Sequence, residues 1–261
     1  MGRKPKYENP QAIINAFYQA VSDSYHTPSE GEQGRDGNKK QELLAEEFEI
    51  SRIKVRKILI TMGDATYPEA RQIQSIIENG QKPDEVLGMA PSTINSFLPY
   101  SKGIYKLSEV SAAAERTRLY RDRKEAVAML QSNISSVNLW KTIILFQGYP
   151  FMTSGRHGDD GVRFKYSISE PGGKGGRHYN GDEIEGFGNE IIVQGKEKTI
   201  SRSTVDYALK NALLIQKKEG CVSGPKKLNA PGAHSYLYSV FLRFGVITRV
   251  PKTPLSGESV N

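Results

Sequence analysis

Between Arg52 and Lys57 the chain places four cations, Arg52, Lys54, Arg56 and Lys57, where mutual repulsion is unfavourable unless something negative faces them. Side chains of this type hold phosphate oxygens, and arginine can also donate two parallel hydrogen bonds to a guanine edge. A second constellation with chemical potential is Gln194 and Lys196, at the end of the run EIIVQGK. An amide or carboxylate, one residue, then a lysine suits magnesium-assisted phosphodiester hydrolysis when an upstream acid completes the metal site. Asp182 or Glu183 would be that acid. The same short ending arises often by chance, and an ordinary turn is the competing reading. His157, Asp159, Asp160 and His178 could gather a cation, but histidines in loops are commonly just solvated. No metal and no cofactor are therefore expected. The glycines from 172 to 181 lack the Gly-Lys-Ser/Thr ending of a phosphate loop, and neither a nucleophile triad nor a zinc-protease helix is present.

The cations need an element to carry them. QELLAEEFEISRIKVRKILI, residues 41–60, divides into two helices around Glu49 and Ser51. Gln41 opens the first, and the Ser51 hydroxyl caps the second by accepting a free amide hydrogen at its start. Ala45 is small where two crossing helices must approach, and Val55 and Ile58 face Leu44 and Phe48. That is the residue pattern of a helix-turn-helix, whose second helix enters the major groove. Glycine is usual in the turn where this chain has Glu49, so the backbone there must avoid a left-handed conformation or accept strain. A plain amphipathic helix pair with a solvated basic face is the bland alternative.

Around this pair, Pro10 to Tyr25 predicts a helix, with Ile13, Ile14, Phe17, Ala20 and Val21 on one face, and His26 to Lys40 predicts a loop. Ala70 to Leu107 resembles a second unit of the same kind. Ile73, Ile76 and Ile77 share a helical face, Pro83 opens a short helix, and Gly88 marks the turn. A candidate reader follows, with Ile94, Phe97 and Leu98 inward and Ser92, Thr93, Asn95 and Ser96 outward; Asn95 suits an adenine edge, and Lys102 lies just beyond. Ser108 to Leu130 predicts a basic connecting helix whose Arg116 either follows phosphates or pairs with acidic neighbours.

The second half changes character. Leu139 to Phe146 is apolar without a decisive period, Val162 to Ser169 alternates as a strand does, and Ile191 to Val193 forms another. Lys198 to Gly220 predicts a helix capped by Ser201, where Arg202 is placed to grip phosphate at the positive end of the helix or to serve as a plain polar cap. Tyr236 to Phe244 predicts an aromatic core helix. The expected organisation is α+β: a helix-turn-helix region over 1–107, a basic connecting helix over 108–132, an α+β domain over 133–250 and a disordered tail over 251–261.

With 261 residues, a net charge of +7 and a mean hydropathy of −0.52, the chain is polar, foldable and attractive to polyanions. The single Cys221 excludes a disulfide framework and suits a reducing compartment. No signal segment or bilayer-spanning run is visible, so the expected location is cytoplasmic, away from membranes.

Two stretches carry a family likeness: STINSFLPYSKGIYKL with AERTRLYRDR, and GNEIIVQGKEKTISRSTV with GPKKL and SYLYSVFLRFGVI. They resemble helix-turn-helix proteins of Gram-positive, Clostridium-like bacteria whose first half is similar to the promoter-reading region of sigma factors. The likeness extends from about Glu42 to Ile247. It implies double-stranded DNA binding and transcriptional control, and it implies no chemistry for the second half. The DNA-contacting set expected is Ser51, Arg52, Lys54, Arg56, Lys57, Ser92, Thr93, Asn95, Lys102, Arg116 and Arg202. A homodimer on a two-fold site is the expectation for a regulator of this size, although no residue marks the interface. The rival expectation is a restriction-type DNA nuclease using Asp182, Gln194 and Lys196.

Overall fold

The computed structural model describes residues 7, 9–27, 37–65, 67–101, 106–153, 161–172, 179, 184–197 and 199–249. The fold is α+β; among the described residues 61% are helical, in ten α-helices and a 3₁₀ turn, and there are two small sheets. Two compact units divide it, the first ending at Asp122 and the second starting at Arg123.

In the first unit, α1 (Pro10–His26) starts where the Asn9 side chain accepts the Ala12 amide hydrogen at 3.0 Å and Pro10 supplies a first residue that needs no donor. Its buried stripe of Ile14, Phe17, Ala20 and Val21 packs against α2 (Gly37–Glu47) and α3 (Arg52–Met62). The expected start of α2 at Gln41, after a loop to Lys40, is corrected by about one turn. Gly37 to Lys40 have modest helical preference, and a tertiary contact assists them, since the Lys40 ammonium sits 5.0 Å from the Tyr25 ring centre. Leu44, Phe48, Val55 and Ile58 are all buried, as the helix-turn-helix pattern requires.

Next come α4 (Pro68–Glu78), α5 (Pro83–Leu87) and α6 (Pro91–Ser96). Gly88, at φ 61°, makes the turn between the last two. Ile73 and Ile76 are buried, whereas Ile77, expected beside them, is 45% exposed.

Helix α7 (Leu107–Ser132) takes part in both units. Val110 and Ala113 belong to the first core, and Leu130 and Val127 to the second. The basic helix expected over 108–132 spans Leu107–Ser132, and each end of it contributes apolar side chains to a core.

The second unit begins with α8 (Ser136–Leu145), capped by Ser135. Strands β1 (Phe151–Met152) and β2 (Arg163–Phe164) pair antiparallel, and β3 (Tyr166–Ile168), β4 (Glu190–Val193) and β5 (Ile200–Ser201) form an antiparallel sheet in that order. The register sets Tyr166 opposite Val193 and Ile168 opposite Ile191, so one face is buried while Ser167 and Ile192 point out. The single strand expected over 162–169 is broken at Lys165 and shared between two sheets, with Val162 left 71% exposed. Helix α9 (Arg202–Glu219), a 3₁₀ turn (Pro225–Leu228) and α10 (His234–Arg243) complete the unit. Trp140, Phe146, Phe151, Tyr166 and Phe244 are buried at its centre.

Residues 2–6 and the tail 251–261 lie outside the described residues, as do Lys102, His157, Asp159, Asp160, His178, Asp182 and Glu183.

Candidate nucleic-acid interface

The turn that leads into α3 is strained at one residue. Glu49 takes φ 52°, a left-handed conformation that its side chain disfavours. Its carbonyl accepts a hydrogen bond from Arg116 Nη2 at 3.1 Å, and Ile50 N donates back to Ala45 O at 2.9 Å. Arg116, expected along phosphates, is half-buried and spent on this turn. Ser51 then caps α3 as expected, accepting the Lys54 amide hydrogen at 3.2 Å.

The four cations of α3 separate in their roles. Arg52 is exposed and reaches Glu42 at 3.4 Å. Lys54 is half-buried and lines a cavity of about 390 Å³ with Tyr18, Tyr100, Glu109 and Arg116. Arg56 turns toward α6: Nη2 donates to Ser96 Oγ at 2.7 Å, Nε donates to Ser96 O at 3.3 Å, and the guanidinium carbon lies 3.9 Å from the centre of the Phe97 ring. Lys57 donates to Asn95 Oδ1 at 3.1 Å and sits 4.7 Å above the Tyr100 ring. Burial lowers the pKa of both Arg56 and Lys57. The expectation of four cations presented together to solvent is corrected, because α6 covers the side of α3 that carries two of them. Ser96, expected outward, is buried as the acceptor for Arg56.

What α6 exposes is the other half of the expected set. Ser92, Thr93 and Asn95 are exposed, while Ile94 is buried beneath them. The helix is only six residues long, so its orientation depends on the Arg56 and Lys57 contacts rather than on its own hydrogen bonds. Where α3 meets α6, Lys57 is bonded to exposed Asn95, with Ser92 and Thr93 exposed on the same short helix, and Arg52 is exposed about one turn earlier on α3.

In the second unit, Arg202 is 1% exposed, and its guanidinium stacks 4.1 Å from the Tyr179 ring centre and 5.4 Å from that of Trp140. Its backbone N and its Nη1 both donate to Asn189. Beside it Tyr179 donates to Asp206 at 2.5 Å, and Ser136 also donates to Asp206. The expected phosphate grip by Arg202 is corrected: it is an internal stacking residue at the first position of α9. Gln194 and Lys196 fall after β4 on a turn that pivots on Gly195 at φ 71°, with Gln194 N bonded to Lys165 O and Lys196 N to Val193 O. They do not share one strand face, which the convergent metal site of a restriction-type nuclease needs.

One feature escaped the sequence reading. Up to Asp122 the chain has 17 Lys and Arg against 17 Asp and Glu; from Arg123 onward it has 19 against 12. The entire net charge of +7 thus belongs to the second unit. Counting on either side of the basic helix would have revealed it, but the local density of cations in residues 52–57 drew attention to the neutral half. Among the described residues, no helix is long and apolar enough to cross a membrane. In comparisons with known proteins, no family model, curated protein or solved structure matches the chain.

Proposed function

We propose that this chain binds double-stranded DNA with sequence preference, as a transcriptional regulator of a bacterial cytoplasm. The observation that carries the reading is the succession of two helix, left-handed turn, helix units, at Glu49 and at Gly88, whose second helices α3 and α6 pack on each other. Both second helices begin at an exposed polar end, Ser51 and Arg52 in one, Ser92 and Thr93 in the other. Helix starts of this kind meet phosphates, and the next exposed turn meets base edges.

In this reading α6 carries the base contact. Asn95 is the reader, and its amide oxygen is oriented by Lys57 while its amide nitrogen serves as the donor to an acceptor on a base edge. Arg52, Ser92 and Thr93 supply backbone contacts, and Arg56 holds α6 in place. A homodimer on a two-fold operator belongs to the same proposal and would appear as paired half-sites about one helical turn apart.

Selection of duplexes from a random pool, followed by titration, tests it. Asn95→Ala should lose about 2- to 10-fold preference at one base pair, the range for a single hydrogen bond. Equal affinity of the native chain for selected and random duplexes would count decisively against sequence reading.

A further inference from the structure

We propose that the second unit grips the DNA backbone through a lysine-bearing face formed by α9 and the 3₁₀ turn of Pro225–Leu228. This rests on the reading that the chain binds DNA, and it assigns the sequence-independent part of binding to a surface on the other unit.

The face follows from helical spacing. Val205, Ala208, Leu209 and Ala212 are buried on the inner side of α9, which leaves Ser203, Tyr207, Lys210, Leu214, Lys217 and Lys218 exposed along the outer side. The 3₁₀ turn docks beside this stripe, since Asn211 Nδ2 donates to Leu228 O at 3.2 Å and Asn229 Nδ2 donates to Tyr207 Oη at 3.0 Å. Asn229 adopts φ 51° to end the turn, and exposed Lys226 and Lys227 are thereby held next to the helix.

The acids of the element do not cancel this charge. Asp206 is engaged by Tyr179 and Ser136. Glu219 lies 4.0 Å from Lys227 and can offset only one of the five lysines. The surplus agrees with the partition of the whole chain, in which the unit bearing the two helix-turn-helix motifs is neutral and this unit carries +7. A unit of zero net charge adds little long-range attraction, so in a DNA-binding chain of this composition the surplus of the second unit is the larger source of salt-dependent affinity.

A duplex suits the face better than a lipid surface does. Only Tyr207, 50% exposed, and Leu214, 67% exposed, are large and apolar on it, and the Tyr207 hydroxyl is already bonded to Asn229. Interfacial helices bury a broad apolar face among the acyl chains. Flexible lysines on a helix of 18 residues, about 27 Å long, match instead a row of phosphates.

The full chain, labelled duplexes of mixed sequence and a potassium chloride series test the inference. Two variants are needed: one with Lys210→Gln, Lys217→Gln and Lys218→Gln, the other with Lys226→Gln and Lys227→Gln. Both should weaken binding to every duplex alike, by about tenfold or more at low salt. The dependence of log affinity on log salt should become shallower by about 0.9 for each phosphate no longer neutralised. Lysine-to-arginine versions should restore the slope, and Asn95→Ala should change base preference while leaving it intact. If the native chain binds duplex and both lysine variants keep its affinity and slope, the face is not the grip, while the DNA reading stands. If the native chain binds no duplex, both fall. Tighter binding to vesicles of anionic lipid than to duplex, abolished in the lysine variants, would overturn the proposal in favour of a membrane surface.

Discussion

Glu49 shows how much of this molecule turns on single residues. A glutamate at φ 52° carries a conformational penalty that glycine does not. Glu49→Gly should therefore stabilise the first unit by about 1 kcal/mol, read as a higher urea midpoint. Arg116→Ala should cost about 1.5–3 kcal/mol, because a charged donor to the Glu49 carbonyl is removed from a half-buried site. Tyr67 offers the opposite case: its hydroxyl is buried with no hydrogen-bond partner, and burial raises its pKa from 10.0 to about 12. In the unfolded chain this phenol ionises near its ordinary value, whereas in the folded chain it holds its proton to about pH 12. Stability is accordingly full below pH 10 and declines as pH rises from about 10 to about 12. Tyr18 and Tyr100, also raised by burial, act in the same direction. Tyr67→Phe should raise the midpoint at neutral pH and flatten the alkaline decline; a steeper decline in the variant would contradict this account.

At the level of elements, the pairing of α3 with α6 decides what the first unit can present. Arg56 connects them through two hydrogen bonds and a ring contact. Arg56→Ala should destabilise by about 1–3 kcal/mol and broaden the amide signals of Ser92 to Ser96 in NMR spectra, while Ser51→Ala should cost about 1 kcal/mol through loss of the α3 cap. The Ser51 and Ser201 caps, the end of α9 at Gly220 and the buried clamp of Leu44, Phe48, Val55 and Ile58 were legible in the sequence, because each depends on local spacing and on side chains one turn apart. The destination of Arg56 and Lys57 was not. Their partners Ser96, Asn95 and Phe97 lie about forty residues further on, and helical periodicity shows which side chains leave a helix but not what covers them. Arg202 was misread for the same reason: position at a helix start suggested an anion site, and only the distant Trp140 and Tyr179 rings reveal burial. The short strands were placed approximately, since alternation cannot show a break such as that at Lys165.

For the whole molecule, two cores imply two steps. Each unit has its own buried cluster, and the only tryptophan, Trp140, lies in the second. Its fluorescence should follow the unfolding of that unit alone, while far-ultraviolet circular dichroism follows both. Ser51→Ala should move the dichroism curve and leave the fluorescence curve in place; coincident shifts would mean that the units unfold as one. Plasmid incubated with the chain and magnesium should remain intact, given the turn on which Gln194 and Lys196 sit.

The uneven charge also gives the molecule a heading. Far from a polyanion, an electric field exerts no net pull on a neutral half and a strong one on a half loaded with +7. On the proposed DNA-binding reading, the lysines of α9 would make the first, loose contact with phosphates. On the same proposal, the search for a preferred site would then run along the duplex rather than through solution, and added salt would slow arrival before it erodes discrimination.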